Sequence, residues 1–148
     1  MATRITNNFT LEELTHSDTA KAYKIDNTPT PQARKNLYKL AEEVLQPIRD
    51  IYGHSIIVNS AYRCEKLNAK VKGAKTSQHL TGEAADIRCT ATSMAVLFGI
   101  IKDMVRSGRL QVGQLIWEHG DEHEPAWIHV SLPRTNGKPN NQILYLYS

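Results

Sequence analysis

Leu110-Gln111-Val112-Gly113-Gln114-Leu115-Ile116-Trp117 and Trp127-Ile128-His129-Val130-Ser131-Leu132 are two apolar runs on either side of the polar stretch from Glu118 to Ala126. Runs of this length around a turn-forming segment pair as antiparallel strands. Side chains alternate along a strand, so in the second run Trp127, His129 and Ser131 share one face and Ile128 and Val130 share the other. The aliphatic face requires a core beneath it. The polar and aromatic face suits a strand that lines a cleft.

Working outward, the core for that aliphatic face is supplied upstream. Thr92 to Arg106 reads as a helix with Met94, Leu97, Phe98, Ile101, Met104 and Val105 on one side and Gly108 as its stop. Ser55 to Ala61 and Ala84 to Arg88 read as further short strands, separated by a helical segment from Cys64 to Val71 and the small-residue loop Gly73 to Ser77. A longer helix opens at Thr30-Pro31, a good N-cap followed by a good first residue, and carries Ala33, Leu37, Leu40, Ala41, Val44, Leu45 and Ile48 at three-four spacing up to Gly53. Pro47 inside it lacks an amide proton and crowds the preceding turn, which predicts a kink or an early end. The first thirty residues carry two short helical segments, Leu11 to Thr15 and Thr19 to Tyr23, and a turn-rich run at Asp26-Asn27-Thr28-Pro29, so they are read as an arm wrapping the core. No repeat or linker interrupts the pattern. The expectation is one α+β domain over residues 1–148, a small, mostly antiparallel sheet with packed helices.

Composition agrees with a folded chain of this kind. A domain of 148 residues buries about 70% of the surface its unfolded chain exposes. With 41% hydrophobic and 22% charged residues it is neither disordered nor low-complexity. The longest apolar-rich stretch, Met94 to Ile101, falls well short of the roughly 18 residues of a membrane span, so no membrane partner is expected. The N-terminal residues hold no apolar signal core, which leads to the expectation of a cytoplasmic product. Cys64 and Cys89 are too few for a disulfide scaffold and are read as reduced thiols. The net charge is +3, and the single local basic group, Lys66, Lys70, Lys72 and Lys75, has no interleaved aromatics, so nucleic acid is not expected as a partner. A mildly basic surface equally suits an anionic polymer such as a bacterial cell wall.

Of six histidines, His79 and His129 stand nearest to chemistry. His79 opens the run His79-Leu80-Thr81-Gly82-Glu83-Ala84-Ala85-Asp86, where Gly82 permits a sharp bend and Asp86 falls on the following strand. Two imidazoles and one carboxylate hold a tetrahedral zinc with the fourth position open, the arrangement of a catalytic site. The spacing is equally compatible with surface or hydrogen-bonded core histidines.

Ser60-Ala61-Tyr62-Arg63, Leu67-Asn68, Gly73, Ser77 to Ile87 and Trp127-Ile128-His129-Val130-Ser131 together resemble the zinc D-alanyl-D-alanine carboxypeptidase family, including its phage-type members. That family shares its zinc site with lysostaphin-type enzymes and hedgehog signalling domains. The resemblance spans roughly residues 9 to 131 and implies a hedgehog/D,D-peptidase-like fold. It implies zinc as cofactor and His79, Asp86 and His129 as its ligands. Arg63 is implied as the cation that meets a substrate carboxylate or carbonyl, with Ser77 and Tyr62 lining the same site. A guanidinium can pair with a carboxylate through two hydrogen bonds, which fits that role. The alternatives are a surface salt bridge for Arg63 and a turn-capping hydroxyl for Ser77.

One position departs from the pattern. Many relatives carry a catalytic glutamate three residues before the last histidine ligand, and Ala126 stands there. If the two runs pair across the turn, Glu118 ends the first strand near Trp127 and His129, within reach of the site as general base. Glu122 and Glu124, in the turn, are the spare candidates. His119-Gly120-Asp121-Glu122-His123 matches the inverted zincin pattern, but Gly120 and Pro125 leave no room for the helix which that chemistry requires, so a polar turn is expected.

These readings lead to a zinc peptidase that cuts stem peptides of bacterial peptidoglycan, as a carboxypeptidase or an endopeptidase of endolysin type. It is expected to be monomeric and to wait in the host or bacterial cytoplasm until it is released to the wall. The alternative is a zinc-containing wall-binding module without hydrolysis, which Ala126 keeps open.

Overall fold

Ile57–Ser60 (β1), Ala84–Arg88 (β2), Gln114–Glu118 (β3), Trp127–Ser131 (β4) and Gln142–Leu146 (β5) form one sheet in the order β1-β2-β4-β3-β5 in the computed structural model, which describes residues 3–147. Neighbours are antiparallel except β5, which runs parallel to β3. The architecture is α+β, as read from the sequence. The β3–β4 pair forms in the register that places Ile116 opposite His129 and Glu118 opposite Trp127. It is shorter than the apolar run that announced it. Val112 is buried but leaves the ladder, because its amide donates to Asn141 Oδ1 and its carbonyl accepts from the Asn141 amide.

Met94–Arg106 (α6, the last of six α-helices among the described residues) is capped by the Ser93 hydroxyl and buries all six apolar residues expected of it against β3 and β4. Ile128, Val130 and Leu115 meet it from the aliphatic face of the sheet, each fully buried. The polar face of β4 is thereby left for the other side.

Pro31–Leu40 (α3) and Gln46–Tyr52 (α4) are joined by a π-helical turn, Ala41–Leu45, and behave as one long helix that buries every apolar position of the three-four pattern. The early end that Pro47 could have imposed does not occur. The Gln46 amide donates to the Ala41 carbonyl, five residues back, so the helix takes in an extra residue one turn ahead of the proline. A widened turn there relieves the ring-to-carbonyl crowding that a regular helix would impose. The helix ends at Gly53, whose φ of 80° is left-handed.

The arm is present as Leu11–Thr15 (α1), held by a Thr10–Glu13 capping box, and Asp18–Ala22 (α2), capped by Ser17. Phe9 and Leu14 insert into the same core as α3, α4 and α6. Glu65–Lys70 (α5) follows β1 and leads into the loop that delivers His79.

Candidate metal centre

The chain reaches His79 through a single 3-10 turn, Gln78–Thr81. Ser77 caps it, its hydroxyl accepting the His79 amide at 3.1 Å. Gly82 closes it with φ of 77°, and a β-carbon at that position would lie 2.6 Å from the Ala33 carbonyl oxygen of α3. Only glycine permits both the left-handed turn and this approach. The turn is therefore clamped to the long helix, and the chain emerges from it directly into β2.

His79 is buried, 2% exposed. Its Nδ1 lies 2.6 Å from the Ala61 carbonyl oxygen, which can only accept, so Nδ1 carries the proton and Nε2 offers its lone pair to a metal. Sheet register sets Asp86 of β2 opposite His129 of β4. Asp86 Oδ1 then sits 3.0 Å from His129 Nδ1 and 3.3 Å from His79 Nε2. Burial pushes the Asp86 carboxyl up, but its contacts with the two imidazoles, His129 first and then His79, outweigh this and hold the group well below the ordinary carboxylate range. One donor atom from each of the three residues lies within 4.8 Å of the others. Two imidazole nitrogens and an ionised carboxylate, with one tautomer fixed from behind, fit zinc in a three-ligand site. Among the described residues this is the group able to hold a metal.

Arg63 leads away from the same hub. Its amide donates to the His79 carbonyl at 3.0 Å, two residues beyond the contact that Ala61 makes with the ring. Burial lowers the affinity of its guanidinium for a proton and the nearby Asp86 charge opposes this, so the cation lies within the field of the metal ligands. It remains charged, since an arginine has far to fall. Its Nε is buried with no hydrogen-bond partner. Ser77 caps the His79 turn and also lines the cleft beside it. The Tyr62 side chain, 5% exposed, packs with the hydrophobic core, and its backbone ties the arm through Leu14 and Asn27. Neither Tyr62 nor Arg63 lines the cleft beside Ser77; Arg63 lines a smaller pocket with Asn59, Ser60 and Leu67.

Glu118 shares a face of β3 with Gln114 and Ile116, the face on which His129 stands in β4. It is diagonal to His129 across the pair, a spacing of roughly 7–8 Å that a glutamate side chain can bridge. His119 Nε2 is 3.8 Å from its carboxylate, and the His119 ring packs on Trp127 at 4.7 Å between centroids. The stretch from His119 to His123 is not helical: His119 and Gly120 are left-handed, and Asp121 Oδ1 accepts the amides of His123 and Glu124. Glu122 is exposed in this turn. Glu124 is exposed, as expected, and its carboxylate also accepts the Met94 amide at the start of α6.

A cleft of about 620 Å³ extends over the same sheet face, with Gln114, Ile116 and His129 among its lining residues and Arg134 and Lys138 on its wall. Sequence reasoning missed Arg134. The available signal was a cation three residues beyond a cleft-lining strand, which has meaning only once the turn after β4 is seen to fold back.

No curated protein matches the chain. The family model of Peptidase M15 matches residues 7–131, a span that runs from the arm through the last metal ligand. With the donor set in place on that span, the chain belongs to the Peptidase M15 family of zinc-dependent peptidases.

Proposed function

We propose that the protein hydrolyses peptide bonds in the stem peptides of bacterial peptidoglycan, as a D-alanyl-D-alanine carboxypeptidase or an endopeptidase of endolysin type, acting on the wall after release from the cytoplasm and as a monomer. The observation that carries this reading is the half-buried Arg63, whose Nε is buried and unpaired and whose guanidinium lies within the field of Asp86. A cation with a buried, unmet donor favours an anionic or strongly polar partner, because leaving the donor empty costs its full desolvation.

Zinc at this site supplies a Lewis acid and lowers the pKa of water. His79, Asp86 and His129 hold it, and Ala61 and Ser77 keep the first of these in place. Glu118 takes the proton of the attacking water and returns it to the leaving amine. Arg63 orients the substrate through its terminal carboxylate or the carbonyl under attack and balances the charge that develops there. The packed rings of Trp127 and His119 lie next to Glu118.

The test is digestion of purified cell wall with and without chelator, followed by mass spectrometry of the released muropeptides. New amine and carboxylate ends in the stem, abolished by chelation, support hydrolysis. A zinc-loaded protein that cuts no wall preparation overturns it in favour of wall binding without turnover. A stem peptide and its C-terminally amidated twin then separate the two cleavage modes: a carboxypeptidase requires the free terminus, and equal rates mark an endopeptidase.

A further inference from the structure

Beyond the metal ligands the cleft ends against the turn that follows β4. Its lining holds two cations besides the histidine, Arg134 and Lys138, and one anion, Glu83. The Glu83 carboxylate is engaged by the Thr81 hydroxyl at 2.5 Å, and Lys138 is exposed. Arg134 is built in. Its amide donates to Asn140 Oδ1 at 2.7 Å, its carbonyl accepts from Asn140 Nδ2 at 3.0 Å, and its Nη2 bonds Gln142 Oε1 at 2.7 Å and the Pro139 carbonyl. Its Nε is buried with no hydrogen-bond partner, and among the described residues it forms no ion pair. The guanidinium is thus fixed by neutral acceptors on one side, with no carboxylate paired to it among the described residues, in the wall of the cleft.

We propose that this end of the cleft is a carboxylate subsite, in which Arg134 selects substrates carrying a free carboxylate on the segment that extends away from the scissile bond. This rests on the peptidoglycan reading of the site. Both cations lie beyond residues 7–131, so the subsite is separate from the part of the chain that defines the family. With Nη2 committed to Gln142 and Pro139, a pre-positioned guanidinium meets a carboxylate through the hydrogens of Nη1, a charge-assisted bond made at little entropic cost, whereas Lys138 contributes only a screened field. Stem peptides offer the required chemistry in two places, the α-carboxylate of a γ-linked glutamate and the side-chain carboxylate of a diamino diacid. Either can be free or amidated.

Three tripeptides of L-alanine, γ-linked D-glutamate and a diamino diacid test the proposal: one with both branch carboxylates free, and two each amidated at one of them. Zinc-loaded protein is titrated with each by calorimetry, and KM replaces Kd for any that is cut. Wild-type protein is expected to prefer the free acid over one of the two amides by about 10- to 100-fold, the range for one charge-assisted contact, and the disfavoured amide identifies the carboxylate. Arg134→Gln erases that preference, with zinc content and affinity for the disfavoured amide unchanged. Lys138→Gln, at an exposed position, keeps most of it. Equal binding of all three by wild-type protein, no binding of any, or an equal loss on all three in Arg134→Gln overturns the subsite. Binding is read whether or not wall is cleaved, so failure of the hydrolysis reading is seen separately.

Discussion

At His79 one ring nitrogen is committed to the Ala61 carbonyl and the other is free to bind metal, and the two facts depend on each other. His79→Ala or His129→Ala therefore removes one of three ligands and is expected to abolish the roughly one zinc per chain measured by metal analysis. His119→Ala and His123→Ala are expected to keep it, since both lie in a turn outside the cluster; the reverse pattern would show that the ligands are misassigned. Glu118 is assigned through register and face, so its substitution is the sharper test. Glu118→Gln keeps shape and hydrogen bonding but cannot take up a proton, and is expected to retain zinc while lowering hydrolysis by about 10²–10⁴-fold. Near-normal turnover in the zinc-loaded variant would remove Glu118 from the mechanism.

Short elements here act as mounts for single side chains, and two glycine and capping features decide whether they work. The 3-10 turn that presents His79 is clamped by Gly82 against α3. Gly82→Ala forces a side chain into a left-handed conformation and against the Ala33 carbonyl, and is expected to cost about 2–4 kcal/mol, read as a lower thermal midpoint together with weaker zinc binding. An unchanged midpoint and zinc affinity would mean the turn is not held from that side. Glu124 was legible in the sequence only as a spare acid, yet its carboxylate bonds the first amide of α6, where a helix N-terminus favours negative charge. Glu124→Gln is expected to lower stability by about 0.5–1 kcal/mol with activity intact. A loss of turnover at normal stability would instead make Glu124 a participant in the chemistry. Helices with a wide apolar face, such as α3–α4 and α6, could be read from spacing because every third or fourth residue is buried. The half-exposed edge strand β5 could not, since neither of its faces is fully covered and its burial leaves no alternation to read.

At the scale of the whole molecule, zinc and fold are coupled through residues far apart in the chain, because His79, Asp86 and His129 converge only in the native sheet. A ligand that binds only the folded state, present at a thousand times its Kd, adds about 4 kcal/mol. For a chain of this size that corresponds to roughly 8–16 °C in thermal midpoint. Chelation is expected to lower the midpoint by this order and stoichiometric zinc to restore it; an identical midpoint with and without chelator would show that the three residues do not bind metal in the folded protein. The sequence by itself determined the α+β class, the buried faces of the long helices and the β3–β4 pairing, because each is written in local periodicity; it offered the three ligands as candidates through residue type and family resemblance. Tertiary structure alone decided the rest: that Tyr62 turns into the core, that Glu124 caps a helix, that a π turn absorbs Pro47, and that Arg134 folds back to face the cleft. The π turn and the Arg134 turn close on bonds five to eight residues long that hydrophobic spacing does not report, whereas Tyr62 and Glu124 meet distant groups. A partner thirty or more residues away leaves no mark in the spacing around it.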